Sequence, residues 1–130
     1  MSEHDALITA ATKARENAHA KFSNFKVGAA LHTPSGKIFL GCNIENATYG
    51  LTLCAERVAI FKAMSEGEHQ FDSIAVVTDT DRLSSPCGAC RQILWEFCGD
   101  IWVHMADLHG HTRAVRLSEL LPFPFDQGNL

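Results

Sequence analysis

The sequence predicts a three-layer α/β fold: a five-stranded mixed sheet with helices on both faces and its last two strands antiparallel. Three observations carry this. Apolar residues recur at helical spacing in three separate stretches. Between and after them lie five short runs of β-branched and apolar residues. The last two of these runs are joined by about four residues, a link that allows only a hairpin, because a parallel crossover needs about a dozen or more.

The elements follow in chain order. Leu7, Ile8, Ala11, Ala14, Ala18 and Phe22 share one helical face, so roughly the first twenty residues are expected to be an amphipathic helix. "FKVGAALH" and "KIFLGC" read as strands around "TPSG", where Pro34 fixes φ and Gly36 accepts positive φ. The loop "NIENATYG" follows. Thr52 is the expected N-cap of a helix over 53–66 that stops at Gly67. "SIAVVTD" reads as a buried strand. Residues 88–98 carry Cys90, Ile93, Leu94 and Phe97 at helical spacing and end at Gly99. "IWVHMA", the turn "DLHG" and "HTRAVRL" complete the sheet. Gly28 is expected where the backbone is approached closely by another element, such as a strand.

Composition narrows the class. The 130 residues fit one domain, 1–130, and a chain of this length buries roughly two-thirds of its unfolded surface, so it needs no disulfides to fold. Of the residues, 46% are hydrophobic and 20% charged, which excludes disorder. The net charge is −4 and no basic run occurs, so a nucleic-acid partner is not expected. No apolar run approaches the roughly 20 residues of a membrane span. "MSEHDALITA" lacks the basic start and apolar core of a secretory signal. With five cysteines, an odd number, the expectation is a cytoplasmic protein with free or metal-bound thiols.

Two stretches carry chemistry: "CAERVAIF" (54–61) and "SPCGACRQ" (85–92). Cys54 and Cys90 are expected in the first turns of two helices, and Cys87 just before the second. Helix N-termini lower a thiol's pKa, and the thiolate is the metal ligand. A structural zinc site wants four protein ligands, usually from two CxxC pairs. Here one pair and one distant cysteine leave a fourth position open, as in catalytic zinc. Glu56, two residues after Cys54, would stand beside the metal without binding it and could act as a general acid/base. A His or Cys two residues before a glutamate, followed by P-C-x-x-C, is the pattern of zinc deaminases. The competing readings are buried free thiols, a structural zinc and a redox CxxC. The first two leave the open fourth position unexplained, and the third leaves Cys54 and Glu56 unexplained. Cys42 and Cys98 read as core residues. The seven histidines are scattered and read as surface or polar-core residues.

Together "FSNFKVGAAL", "GCNIENATYG", "CAERVAIFKA", "SPCGACRQ" and "LLPFPF" resemble the cytidine deaminase family in its short, homotetrameric, three-cysteine form. The resemblance covers almost the whole chain. It implies a cytidine-deaminase-like sandwich, one Zn²⁺ per chain on Cys54, Cys87 and Cys90, and hydrolysis of free cytidine and deoxycytidine to uridine and deoxyuridine in pyrimidine salvage. Water is the co-substrate. Glu56 would move the protons, and Arg57 would donate hydrogen bonds to ligand sulfurs and offset their excess charge. Phe25 would pack on the pyrimidine, Asn43 and Glu45 would bind the ribose, and the backbone of Ala55 would meet the base carbonyl. Tyr49 and Phe125 would complete a neighbouring subunit's site in a homotetramer. Two departures from the family pattern stand out: Phe22 where a tyrosine is usual, and "TYGLTL" before Cys54.

Overall fold

In the computed structural model, which describes residues 2–130, helix α1 runs Glu3–Arg15. Ser2 caps it by accepting the N–H of Asp5 at 3.2 Å, and Glu3 and Asp5 meet the positive helix end. The helix is shorter than its apolar pattern predicts, and Ala18 and Phe22 lie beyond it. The backbone of His19 pairs instead with the stretch after the second strand. Its N–H donates to Asn43 O at 2.9 Å, and its carbonyl accepts from Glu45 N at 2.9 Å.

Strands β1 (Val27–His32) and β2 (Ile38–Cys42) form the expected hairpin, with Gly28 opposite Cys42 and His32 opposite Ile38. Helix α2 (Ala55–Ser65), strand β3 (Ser73–Thr78), helix α3 (Gly88–Cys98) and strands β4 (Trp102–Ala106) and β5 (Thr112–Arg116) follow as predicted, within a few residues at their ends. Three short pieces were not anticipated: a one-turn helix α4 (Leu117–Leu120) and 3₁₀ turns at Tyr49–Leu51 and Gln127–Asn129. None is long enough to show a period.

The sheet order is β2-β1-β3-β4-β5. Only β3 and β4 are parallel, joined through α3; β4 and β5 are antiparallel, as the short link requires. Successive residues of the inner strands β1, β3 and β4 enter opposite cores. Ala29, Leu31, Val76 and Val103 pack with α2 and α3, while Ala30, Ala75, Val77 and Ala106 pack with α1. Helices therefore cover both faces.

Two glycines set the helix heights. A Cβ on Gly28 would lie 2.0 Å from Ala11 O, so the close neighbour there is helix α1 rather than a strand. A Cβ on Gly41 would lie 2.2 Å from Ala55 O. Gly41 thus lets the first turn of α2 settle directly on β2.

Candidate metal centre and active site

Two helix starts build the site. Cys54 is the N-cap of α2, and Cys87 is the N-cap of α3 with Cys90 in its first turn. The expected cap, Thr52, is already engaged. It ends the 3₁₀ turn at Tyr49–Leu51, and its hydroxyl accepts the Asn46 N–H at 3.1 Å. Cys54 therefore sits one step ahead of the first turn rather than in it. Neither N-cap sulfur accepts a capping bond from the backbone N–H groups of its own helix.

The three sulfurs converge instead. Cys54 Sγ and Cys87 Sγ are 3.9 Å apart, and all three lie within 4.8 Å of one another. Arg57 donates from Nε to Cys90 Sγ and from Nη2 to Cys54 Sγ, each at 3.5 Å. The Cys90 contact holds the Cys54 thiol down at about 5, with Arg57 helping, and pushes the Cys90 thiol up.

Glu56 is 4% exposed. Burial pushes its carboxyl up to about 7, and the negative Cys54 sulfur adds to this. A carboxyl that exchanges its proton near neutral pH is suited to general acid/base work.

A cleft of about 210 Å³ brings together Phe25, Asn43, Cys54, Ala55, Glu56 and Cys87. Cys90 is fully buried. Glu45 and Tyr49 are placed elsewhere, in a neighbouring recess with Phe22 and Ser23; Thr52 lines both hollows. Phe22 and Tyr49 meet edge-on at 5.8 Å. Phe125 is 60% exposed on the tail, and its backbone bonds to the Gln92 side chain.

Asn43 and Glu45 both serve the 22–27 segment. Asn43 accepts from Val27 N at 2.9 Å and donates to Phe25 O at 2.7 Å. Glu45 accepts from the N–H groups of Phe22 and Ser23 and from the Ser23 hydroxyl, which hold its carboxyl below the usual range. The Ser23 hydroxyl in turn accepts from Phe25 N at 3.0 Å. These bonds fix the backbone around Phe25, which lines the cleft. Sequence reasoning missed Val76, Thr78, Ser84 and Ser85 on the cleft wall. The signal for Thr78 was available, since open α/β sheets place ligands at the carboxyl ends of their strands.

The family model described as "Cytidine and deoxycytidylate deaminase zinc-binding region" matches residues 1–105. The chain belongs to the cytidine deaminase family. A cytidine deaminase of Halalkalibacterium halodurans is 50% identical over 124 residues, 95% of this chain and 94% of that one. The crystal structure of cytidine deaminase from Burkholderia pseudomallei superposes with TM-score 0.91 at 50% identity, covering 96% of this chain and all of the other. A blasticidin-S deaminase of Bacillus cereus is 34% identical over 107 residues, 76% of each chain.

The zinc-binding region of that family and the three converging cysteines make the chain a zinc-dependent hydrolase. Its sulfur geometry suits the ion. Thiolates held ~2.3 Å from one tetrahedral zinc stand ~3.8 Å apart, close to the 3.9 Å between Cys54 and Cys87. An all-thiolate set also favours zinc over magnesium or calcium, which take oxygen ligands.

Proposed function

We propose that the chain converts free cytidine and deoxycytidine, with water, to uridine or deoxyuridine and ammonia. The observation that carries this is Glu56, buried in a cleft wall beside three converging sulfurs. Cys54, Cys87 and Cys90 are assigned as the ligands of one zinc per chain. When bound, zinc supplies the Lewis acid that makes water nucleophilic at neutral pH.

The protein's own groups do the rest. Glu56 accepts a proton from the attacking water and passes it to N3 of the cytosine ring, so that C4 becomes electrophilic. A second proton transfer through Glu56 reaches the exocyclic nitrogen, which leaves as ammonia. Phe25 covers the base, and the backbone of Ala55 at the start of α2 meets its carbonyl. Asn43 and Glu45 are assigned to sugar hydroxyls, toward which each would redirect a bond it now gives the 22–27 segment. Arg57 offsets the excess negative charge of three thiolates on a divalent ion.

The chain would work as one domain over 1–130, in pyrimidine salvage in the cytoplasm, as a homotetramer. The exposure of Tyr49, Phe123 and Phe125 supports an assembly in which Tyr49 and Phe125 reach a neighbour's cleft. No helix among the described residues is long and apolar enough to cross a membrane.

The kinship to a blasticidin-S deaminase favours one second reading, a cytosine-bearing antibiotic as substrate. Ultraviolet absorbance decides between them. Wild-type protein should deplete cytidine, and Glu56→Gln should be slower by about two to four orders of magnitude at equal zinc content. Turnover of blasticidin S without turnover of cytidine would transfer the assignment to the antibiotic. Equal activity of Glu56→Gln would remove the role given to Glu56.

A further inference from the structure

A second group of ligating side chains lies across the sheet from the cleft, on the α1 face. Glu3 opens α1, His32 ends β1 and Asp72 precedes β3; their ligand atoms lie within 4.8 Å of one another. The His32 side chain is only 7% exposed. Its Nδ1 stands 2.7 Å from Asp72 Oδ1, which also accepts the Ser73 hydroxyl at 3.1 Å. A carboxylate oxygen can only accept, so the ring proton of neutral His32 lies on Nδ1 and the lone pair on Nε2. That lone pair faces Glu3 Oε1 at 3.4 Å, a second acceptor. Either a second ring proton or a metal ion stands between the two.

The surroundings suit a metal ion. A histidine that gives Nδ1–H to a carboxylate is oriented to ligate through Nε2, the arrangement that supports metal-binding imidazoles. Beside the group opens a hollow of about 400 Å³ lined by Glu3, His4, Asp72 and His104. The His4 and His104 rings stack there with centroids 5.3 Å apart. Imidazole with carboxylate selects borderline divalent ions such as zinc, cobalt and nickel over magnesium or calcium.

We propose that Glu3 and His32, with Asp72 orienting the imidazole, form a second divalent cation site that ties the start of α1 to the end of β1. Cations in this site stabilise the fold and take no part in deamination. The site joins two elements and the loop before β3, so it exists only in the folded chain, and binding must raise the melting temperature by mass action.

The test titrates zinc-loaded protein, freed of excess metal, with Ni²⁺ by calorimetry, alongside thermal unfolding over the same concentrations. One further Ni²⁺ per chain and a rising Tm are expected. Glu3→Gln, a change at an exposed position, should weaken binding at least tenfold and leave cytidine turnover unchanged. Asp72→Asn should weaken it by about 10–100-fold, the usual cost of losing such an orienting partner. The control His109→Ala, His111→Ala, at two histidines between β4 and β5 that face Asp79 and Asp107, should bind as wild type. No further Ni²⁺, or binding that survives Glu3→Gln and falls in the control, overturns the proposal. The contact between Nε2 and Glu3 is then an ion pair of protonated His32.

Discussion

Arg57 and Cys90, 33 residues apart in the chain, meet at 3.5 Å through Nε and Sγ. The same guanidinium reaches Cys54, so one cation spans two of the three sulfurs. Among the described residues no carboxylate pairs with Arg57. Its contacts are therefore with the metal centre. Arg57→Gln should keep the fold and lower kcat or zinc affinity by about 10–100-fold, as losing a partner of ligand atoms does. An unchanged kcat with unchanged zinc affinity would return Arg57 to the surface, where a lone charge is worth little.

Gly41 and Gly28 support a paired experiment. Each would drive a Cβ into helix backbone, at 2.2 Å and 2.0 Å, and backbone cannot swing aside as a side chain can. Each alanine substitution should destabilise by at least about 1–3 kcal/mol, the range for overpacking, measured by urea unfolding. The two should part in function. Gly41→Ala lifts the first turn of α2, so its folded fraction should lose zinc and activity. Gly28→Ala disturbs α1 on the other face, and its folded fraction should turn over normally.

Asp107 gives a pH prediction. Burial alone would raise its carboxyl. The N–H groups of His109 and His111 and the His111 ring outweigh that and hold it at about 2, against an ordinary value of 3.8. The folded state thus releases this proton more readily than the unfolded chain does. Its stabilisation is fully present above about pH 4 and fades as pH falls toward 2. Asp107→Asn should unfold more easily than wild type at pH 6, and the gap should narrow as the pH drops to 2.5. A gap independent of pH would mean that the carboxylate charge contributes nothing.

Cys98 tests the ligand set. Burial alone pushes its thiol up to about 12, so it holds its proton at neutral pH. Cys98→Ala should keep one zinc per chain by elemental analysis, whereas Cys54→Ala, Cys87→Ala or Cys90→Ala should lose it. Zinc loss in Cys98→Ala at an intact fold would add a fourth sulfur to the centre.

Local spacing made much of this legible. The sequences CAERVAIF and SPCGACRQ hold their chemistry within a turn or two, and strand hydrophobicity with short links determines most of the topology. Several failures come from competition by residues outside the local pattern. Apolar Ala18 and Phe22 extend the pattern of α1, yet pairing of His19 with Asn43 and Glu45 ends the helix earlier. Threonine is the better N-cap on preference, but Thr52 is already held by Asn46. Asn43 and Glu45 lie two apart on the chain and still line different hollows, because Glu45 turns back to Ser23. The group of Glu3, His32 and Asp72 has no local spacing at all and could be found only in three dimensions.

The convergence of Cys54 and Cys87 across 33 residues has a mechanical side. An ion gripping both is a cross-link, and it closes the loop that contains all of β3. On the chain-entropy view, a closure of that span restricts the unfolded ensemble by ~3–5 kcal/mol, less any strain. The metal that serves the reaction is then also a clasp. Chelators should speed heat inactivation beyond what loss of chemistry requires, because a chain without its clasp opens more easily and reseals more slowly.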